Sequence, residues 1–316
     1  MTETIHIREF EDADLGQVLE VLRAALGETP ILRRTPALFS WKHFRNPFGR
    51  SIVLVATAGA RIVGVRAFMR WKLRTAEGEV LQCVRAVDTA THPDFHRRGI
   101  FSRLTTEAVE RAVADGVDLI FNTPNPRSGA GYLKMGWVEV GTIGVMARPS
   151  IRLLRRQAAV EPPEAEEYLK LPIPVGELAM EDRPARGLRT PRDAAYRSWR
   201  FQQHPTARYF QIARGSSAAI VRPNVRSGRR ELVLSDVAGP DPRRVIRETL
   251  AVSRAEYVAA WWSEGSPERA AAKRNGIMPI PGRVALTLVC RPLRTLPLTV
   301  DALSSWDLAL GDMELL

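Results

Sequence analysis

The sequence predicts an α/β protein of the α+β kind, with two domains, each a mixed, mostly antiparallel sheet flanked by helices. Three observations predict it. Strand-like and helix-like hydrophobic periods follow one another over residues 4–149, in the order strand, two helices, three strands, helix, strand, helix, strand. A proline-rich stretch between Pro149 and Pro191 then breaks the regular pattern. Beyond it, short signatures of the first half recur, as in an internal repeat.

Each element has a local reason. Ile5 to Phe10 reads as a first strand. Asp14, with Gln17 three residues on, reads as a capping box for a helix whose Leu15, Val18, Leu19, Leu22 and Leu26 share a face until Gly27. A second helix starts at Thr35-Pro36, where proline is tolerated in the first turn, and ends by Asn46-Pro47. Its Phe39, Trp41 and Phe44 belong to the core or line a substrate pocket. Ser51 to Thr57 and Arg61 to Met69 form a hairpin through Ala58-Gly59, and Glu77-Gly78 turns the chain into a strand over 80–91. A helix over about 102–114 and strands over 117–122 and 138–146 complete the first domain.

At 316 residues the chain is long enough for two domains of roughly 150 residues each. The expected boundaries are a first domain over 1–149, a linker over 150–190 and a second domain over 191–316. Hydrophobic content of 45% and charged content of 26% are those of a globular protein. No apolar run approaches the roughly 20 residues of a membrane helix. The first residues lack the basic and then apolar start of a signal peptide, which points to the cytoplasm. Cys83 and Cys290, one in each half, argue against a disulfide framework and a cysteine metal site.

The net charge of +11 could suit nucleic acid, an acidic surface or an anionic substrate. Only Lys42, Lys72, Lys134, Lys170 and Lys273 are lysines, so the excess is carried by arginine beside abundant alanine, as in a GC-biased coding sequence. No zinc-finger spacing, RNP-like aromatic run or long basic helix accompanies it, which argues against nucleic acid.

The chemistry concentrates in the stretch from Val87 to Leu104. A strand ends at Thr91, a basic loop of His96, Arg97 and Arg98 leads to Gly99, and a helix begins at Ile100, Phe101 and Ser102. Glycine permits a turn that aims backbone N–H groups at one point, and the first helical amides lack partners of their own. With the flanking arginines and the positive end of the helix, this makes a pocket for phosphate.

A second stretch, Asn122 to Trp137, follows. The two together resemble the GNAT acyltransferase superfamily. There a loop of the form Arg/Gln-x-x-Gly-x-Gly/Ala grips the pyrophosphate of coenzyme A, and a later Asn-x-x-Ser/Ala-x-x-x-Tyr-x-x-x-Gly-aromatic run supplies a tyrosine near the thioester sulfur. The second pattern maps onto Asn125, Ser128, Tyr132, Gly136 and Trp137. The first departs from its form at His96, where Arg or Gln is usual, and at Phe101, where a small residue is usual. That bulky residue is similar to the variant in tandem-GNAT acetyltransferases of the enhanced-intracellular-survival type.

The resemblance implies acetyl-coenzyme A as acyl donor, with no metal, and a small primary amine as acceptor: an amino sugar, a peptide or an antibiotic. It implies that Thr89, Ala90 and Thr91 hold pantetheine, that His96 through Ser102 and Asn125 complete the donor site, and that Tyr132 is the acid at the thiolate. Asp88, a carboxylate in an apolar strand, is the candidate base or a paired structural acid. His92 is a second candidate base or a plain turn residue, and a chain-terminal carboxylate at Leu316 a third. Two other readings stay open: a tandem-GNAT aminoacyl or peptidyl transferase of envelope biosynthesis, and a non-catalytic acyl-coenzyme A binding scaffold. Oligomeric state is open, a homo-oligomer included.

The repeat rests on two echoes. Ser40-Trp41-Lys42-His43-Phe44-Arg45-Asn46-Pro47 returns as Ser198-Trp199-Arg200-Phe201-Gln202-Gln203-His204-Pro205, and Met146-Ala147-Arg148-Pro149 as Val289-Cys290-Arg291-Pro292. In the second copy Ala238 to Arg244 takes the place of the phosphate loop, with two prolines that remove amides. If Asn275-Gly276-Ile277 matches Met135-Gly136-Trp137, Ala272 stands where Tyr132 does. The second domain is therefore expected to bind no coenzyme A.

Overall fold

The computed structural model describes residues 3–29, 32–154, 163–176, 182–280 and 286–313. In chain order the main elements are β1 (Ile5–Glu9), α1 (Leu15–Leu26), α2 (Pro36–His43), β2 (Ile52–Ala58), β3 (Arg61–Arg74), β4 (Val80–Thr91), α3 (Ile100–Ala114), β5 (Leu119–Asn122), α4 (Pro126–Lys134), β6 (Val138–Ile143) and β7 (Met146–Pro149). There follow α5 (Ala165–Tyr168), α6 (Ala194–Arg197), β8 (Phe210–Arg214), β9 (Ser217–Arg226), β10 (Arg229–Ala238), α7 (Pro242–Val252), β11 (Tyr257–Ala260), α8 (Pro267–Arg274), β12 (Met278–Pro279), β13 (Leu286–Pro292) and α9 (Leu310–Met313).

The chain forms two compact units. One comprises Met1–Leu73, Val80–Val140 and Leu288–Asp301; the other Arg74–Glu79, Gly141–Thr287 and Ala302–Leu316. Each is a mixed, mostly antiparallel sheet with helices, as the periodicity predicts.

The first sheet runs β1-β2-β3-β4-β5-β13-β6 among the described residues. Strand alternation sends successive side chains to opposite faces. Val53, Val55, Val65 and Ala67 therefore pack with Val18, Leu19 and Leu22 of α1 and Phe39 of α2. Leu54, Ala56, Val84 and Ile120 pack on the other face with Ile100, Leu104 and Ala108 of α3 and Tyr132 of α4. Gly64 is needed where α3 crosses β3, since a Cβ there would lie 2.8 Å from the Ile100 Cγ2.

The start of α1 differs from expectation. Asp14 closes a capping box with Glu11, whose N–H donates to it at 2.8 Å, and pairs with Arg8 at 2.6 Å. Gln17 instead accepts from the Ile62 N–H at 2.9 Å, tying α1 to β3. A carboxylate at the right spacing was taken locally; a neighbour distant in sequence claimed the amide.

The second sheet runs β12-β7-β11-β10-β9-β8. Within the stretch expected to link the domains, the described residues Tyr168, Leu169 and Leu188 are fully buried, and the first two lie in the second core with Phe210, Val221, Leu234 and Ile246. Prolines break helices and strands, yet irregular backbone is buried when its polar groups find partners. Here Lys170 N–H bonds Val252 O, Leu188 N–H bonds Ser305 O and Gln211 N–H bonds Ile173 O.

The other change concerns the ends of the halves. β7 does not finish the first sheet but pairs antiparallel with β11 in the second, and β13 pairs antiparallel with β5 in the first. These are the strands that carry the echoed Met146–Pro149 and Val289–Pro292 signatures. Their arginines do the same work. Arg291 Nη1 donates to the Met135 carbonyl at 2.8 Å, and Arg148 Nη1 to the Asn275 carbonyl at 2.9 Å. Each guanidinium lies over a glycine, Gly136 or Gly276, that turns with positive φ. The repeat is real, and its closing strands are exchanged.

Candidate active site

Among the described residues β4 pairs in parallel with β5 only at Cys83–Leu119, Val84–Ile120 and Arg85–Phe121. Beyond Arg85 it runs on to Thr91 with its β5 edge released. The freed edge is a place where backbone N–H and C=O groups need partners. At its end a short turn leads into the basic loop, and Gly99, with φ +72°, sets the start of α3. No side chain caps that start. His96, Arg97 and Arg98 are exposed around it, and Arg97 itself has φ +62°. Arg98 stacks on Phe95 at 4.6 Å, and one ring nitrogen of His96 meets the Thr91 carbonyl at 3.0 Å, closing the loop on its strand. Uncapped helix-start amides beside two exposed arginines are the groups that anion sites use.

α4 brings Tyr132 to the same face. Its ring is buried, edge-on to Phe101 at 5.5 Å and to Trp137 at 5.1 Å. Phe101 fits because Gly131 leaves room: a Cβ there would lie 2.9 Å from the Phe101 ring. The bulky residue in the loop motif is thus matched by a glycine on the facing helix. Arg66 Nη1 donates to the Tyr132 hydroxyl at 2.7 Å and also to Thr89 Oγ1. Asn125 is occupied in another way, accepting the Ser128 N–H at 3.0 Å at the start of α4.

The α1/α2 face holds a charged cluster. Asp88 has φ +42°, a strained backbone for a residue other than glycine, and strain of this kind concentrates at functional sites. Its carboxylate meets Lys42 Nζ at 2.9 Å, His43 Nε2 at 3.0 Å and Arg34 Nη1 at 3.3 Å. His43 Nδ1 lies 3.0 Å from Ser51 Oγ. Burial by itself would raise the Asp88 pKa; Lys42, His43 and Arg34 outweigh it and hold the carboxylate well below its usual range. Burial pushes the His43 imidazole down, against the opposing pull of Asp88. The base role expected of Asp88 therefore does not suit its surroundings: a carboxylate bound by three donors gives up little to an incoming proton. His92 Nε2 lies 2.9 Å from Arg61 Nη2, and His92 sits in the turn after β4, its Nδ1 accepting the Asp94 N–H at 3.3 Å. Leu316 lies outside the described residues.

In the second unit the counterpart of the loop is shut. Asp241 caps α7, accepting the Arg244 N–H at 3.0 Å, with Pro242 next. There a side-chain carboxylate, not a free helix start, faces the first amides of α7. Gly239 passes so close to Ser216 that a Cβ would lie 2.2 Å from its carbonyl oxygen. Ala272 is buried in α8, where the repeat aligns it with Tyr132.

Residues 6–140 match the family model described as an acetyltransferase (GNAT) domain. This segment is a GNAT domain. Solved structures similar to the whole chain include a GCN5-related N-acetyltransferase from Kribbella flavida, at 14% identity and TM-score 0.60, covering 92% of this chain and 72% of that one. Eis1 from Mycobacterium abscessus is similar at 15% identity and TM-score 0.56, over 92% and 73%. A putative acetyltransferase from Pyrococcus horikoshii is similar at 14% identity and TM-score 0.53, over 94% and 92%. A search of curated protein sequences returns no match.

The GNAT domain brings Thr89, Ala90 and Thr91 to the released edge of β4 and His96 through Ser102 to its end, with Tyr132 beside them. It separates Asp88 onto the opposite face. Sequence reasoning missed Arg34, Lys42, His43 and Arg66. For Arg66 there was a signal: it is a lone charge in the run Val63 to Met69, where both faces of the strand are apolar. Among the described residues no helix is long and apolar enough to cross a membrane, and no group of three or more His, Cys, Asp or Glu could hold a metal ion.

Proposed function

We propose that the protein is an acyl-coenzyme A dependent N-acyltransferase that moves an acetyl group to a primary amine of a small molecule, such as an amino sugar, a peptide or an antibiotic. The parting of β4 from β5 after the Arg85–Phe121 pair, with an uncapped helix start and exposed arginines at its end, carries the reading. Bound acetyl-coenzyme A supplies an activated acyl group as its thioester. Arg97, Arg98 and the amides of Gly99, Ile100, Phe101 and Ser102 would hold the pyrophosphate, and Thr89 to Thr91 would offer their backbone to pantetheine. An alkylammonium has a pKa near about 10, so the acceptor must lose a proton before it attacks; water would take it. Asp88 would serve as counter-ion, fixing α2 through Lys42 and His43. Tyr132 would deliver its hydroxyl proton to the leaving sulfur, a general-acid role. The cytoplasm would supply the donor.

The test is the melting temperature with and without acetyl-coenzyme A, for the wild type, Gly99→Ala and Gly99→Glu. A ligand that binds only the folded state stabilises it by about 2.7 kcal/mol at a hundredfold excess over Kd. The rise should persist in Gly99→Ala and vanish in Gly99→Glu, whose carboxylate occupies the anion position. No rise in the wild type would sink the reading. A rise without thiol release, unaffected by Tyr132→Phe, would favour a scaffold.

A further inference from the structure

We infer that Arg66 is the positioning residue that makes Tyr132 an effective acid. The inference rests on the acyl-transfer reading above.

Arg66 lies on β3 with its side chain fully buried. Among the described residues no carboxylate pairs with it, and its Nε and Nη2 have no hydrogen-bond partner. Aromatic rings surround it: Phe68 at 4.8 Å, Tyr132 at 5.1 Å and Phe101 at 5.6 Å from the guanidinium carbon. A buried cation without an anion is costly, and ring faces offset only part of that cost. Such an arrangement suits a site where negative charge appears during a reaction.

Its one engaged nitrogen has two oxygens. Nη1 donates to Thr89 Oγ1 on the released stretch of β4 and to the Tyr132 hydroxyl. Guanidinium has donors only, so the phenol oxygen must accept there and its single proton is turned toward another acceptor. Thr89 in turn donates to the Val87 carbonyl at 3.4 Å, which fixes its hydroxyl as acceptor toward Arg66. The chain of bonds runs from strand to guanidinium to phenol, and it ends on a Tyr132 hydroxyl whose proton is not taken up by Arg66. In the transfer step the amine nitrogen bonds to the acyl carbon and the carbon–sulfur bond breaks. The Tyr132 proton passes to sulfur, and the proton released by the amine returns through water to the phenolate, which Arg66 stabilises meanwhile.

The experiment is a double-mutant cycle on the full chain: Arg66→Met, Tyr132→Phe and both together. Thiol release from acetyl-coenzyme A is followed with hydroxylamine as a small acceptor, and acetyl-coenzyme A and free coenzyme A binding by calorimetry. A positioned acid contributes on the order of a hundredfold or more, so Arg66→Met should lower kcat by on the order of tenfold to a hundredfold. KM for acetyl-coenzyme A should hold, and the double variant should be no slower than Tyr132→Phe. Affinity for free coenzyme A should fall while that for the acetyl thioester stays. Multiplicative losses in the double variant, or an unchanged kcat, overturn the inference. If Arg66→Met does not fold, Arg66→Lys in the same cycle decides, since the shorter lysine side chain ends before the Nη1 position that serves both oxygens; full activity there overturns it too. A wild type that binds neither nucleotide sinks the acyl-transfer reading itself, and the inference with it.

Discussion

Phe101 at the start of α3 meets Tyr132 of α4 edge-on, with centroids 5.5 Å apart and planes at 88°. The contact exists because Gly131, one residue before the tyrosine, has no Cβ. Adding one overpacks the site. Gly131→Ala should cost about 1–3 kcal/mol, read from urea denaturation. In a Phe101→Ala background the same change should cost much less, since the ring that collides is gone. Equal costs in both backgrounds would show that the ring does not set the constraint.

The Asp88 cluster predicts a stability effect that depends on pH. Asp88→Asn leaves Lys42 and Arg34 buried without their anion, and breaking a buried pair typically costs about 3–5 kcal/mol. Because the folded carboxylate titrates below the unfolded one, its contribution is fully present above the unfolded pKa of about 3.9 and is lost as pH falls from there toward the folded value. Denaturation of wild type and variant should therefore differ most above about pH 5 and converge in acid. A gap that stays constant down to pH 3 would contradict the assignment.

His43 runs in the same direction for another reason. Its ring is buried and its pKa lowered, so the folded state resists protonation more than the unfolded state does. The stability it supports is present above the unfolded value of about 6.5 and is lost as pH drops below that. His43→Gln should flatten the stability profile between about pH 6.5 and 5, measured by thermal melts across that range.

Asp241 is predicted to matter for stability alone. Removing an N-cap costs about 1 kcal/mol, so Asp241→Ala should lower stability by that amount while Asp241→Ser restores most of it. The melting-temperature response to acetyl-coenzyme A should be the same in all three proteins. A weakened response in Asp241→Ala would place part of the donor site in the second unit.

Strand exchange predicts how the chain can be cut. A fragment of residues 1–149 lacks β13, which sits between β5 and β6 in the first sheet. It should not give a cooperative unfolding transition, because β5 loses its antiparallel partner and Val289, Leu288 and Cys290 leave a gap in a buried layer. Supplying residues 286–301 in trans should restore some cooperativity. A fragment that melts like the full chain would show that β13 is dispensable.

Much was legible in the residues alone. Hydrophobic period, Pro36 at a helix start and Gly99 before an apolar helix face are local signals, and local sterics and amide geometry decide them. So are the basic loop and the run from Asn125 to Trp137, whose spacing places Tyr132 two turns into a helix. The echo of Met146–Pro149 in Val289–Pro292 was visible too, but not its meaning. A strand's sequence says that both its faces are buried; it does not say which sheet receives it, because either offers the same hydrogen-bonding edge.

What the tertiary structure decided is which side chains meet across long separations. Asp88 looked like a base because a carboxylate in an apolar strand needs a purpose; Lys42 and His43, from a helix more than forty residues earlier, supply one. Arg66 was only a lone charge in an apolar strand until Thr89 and Tyr132 came within reach. Contacts between residues far apart in sequence depend on how the chain packs, so the sequence by itself determined the elements and the basic glycine loop, and only the packed chain determined that Arg66 meets Tyr132 and that Asp88 meets Lys42, His43 and Arg34.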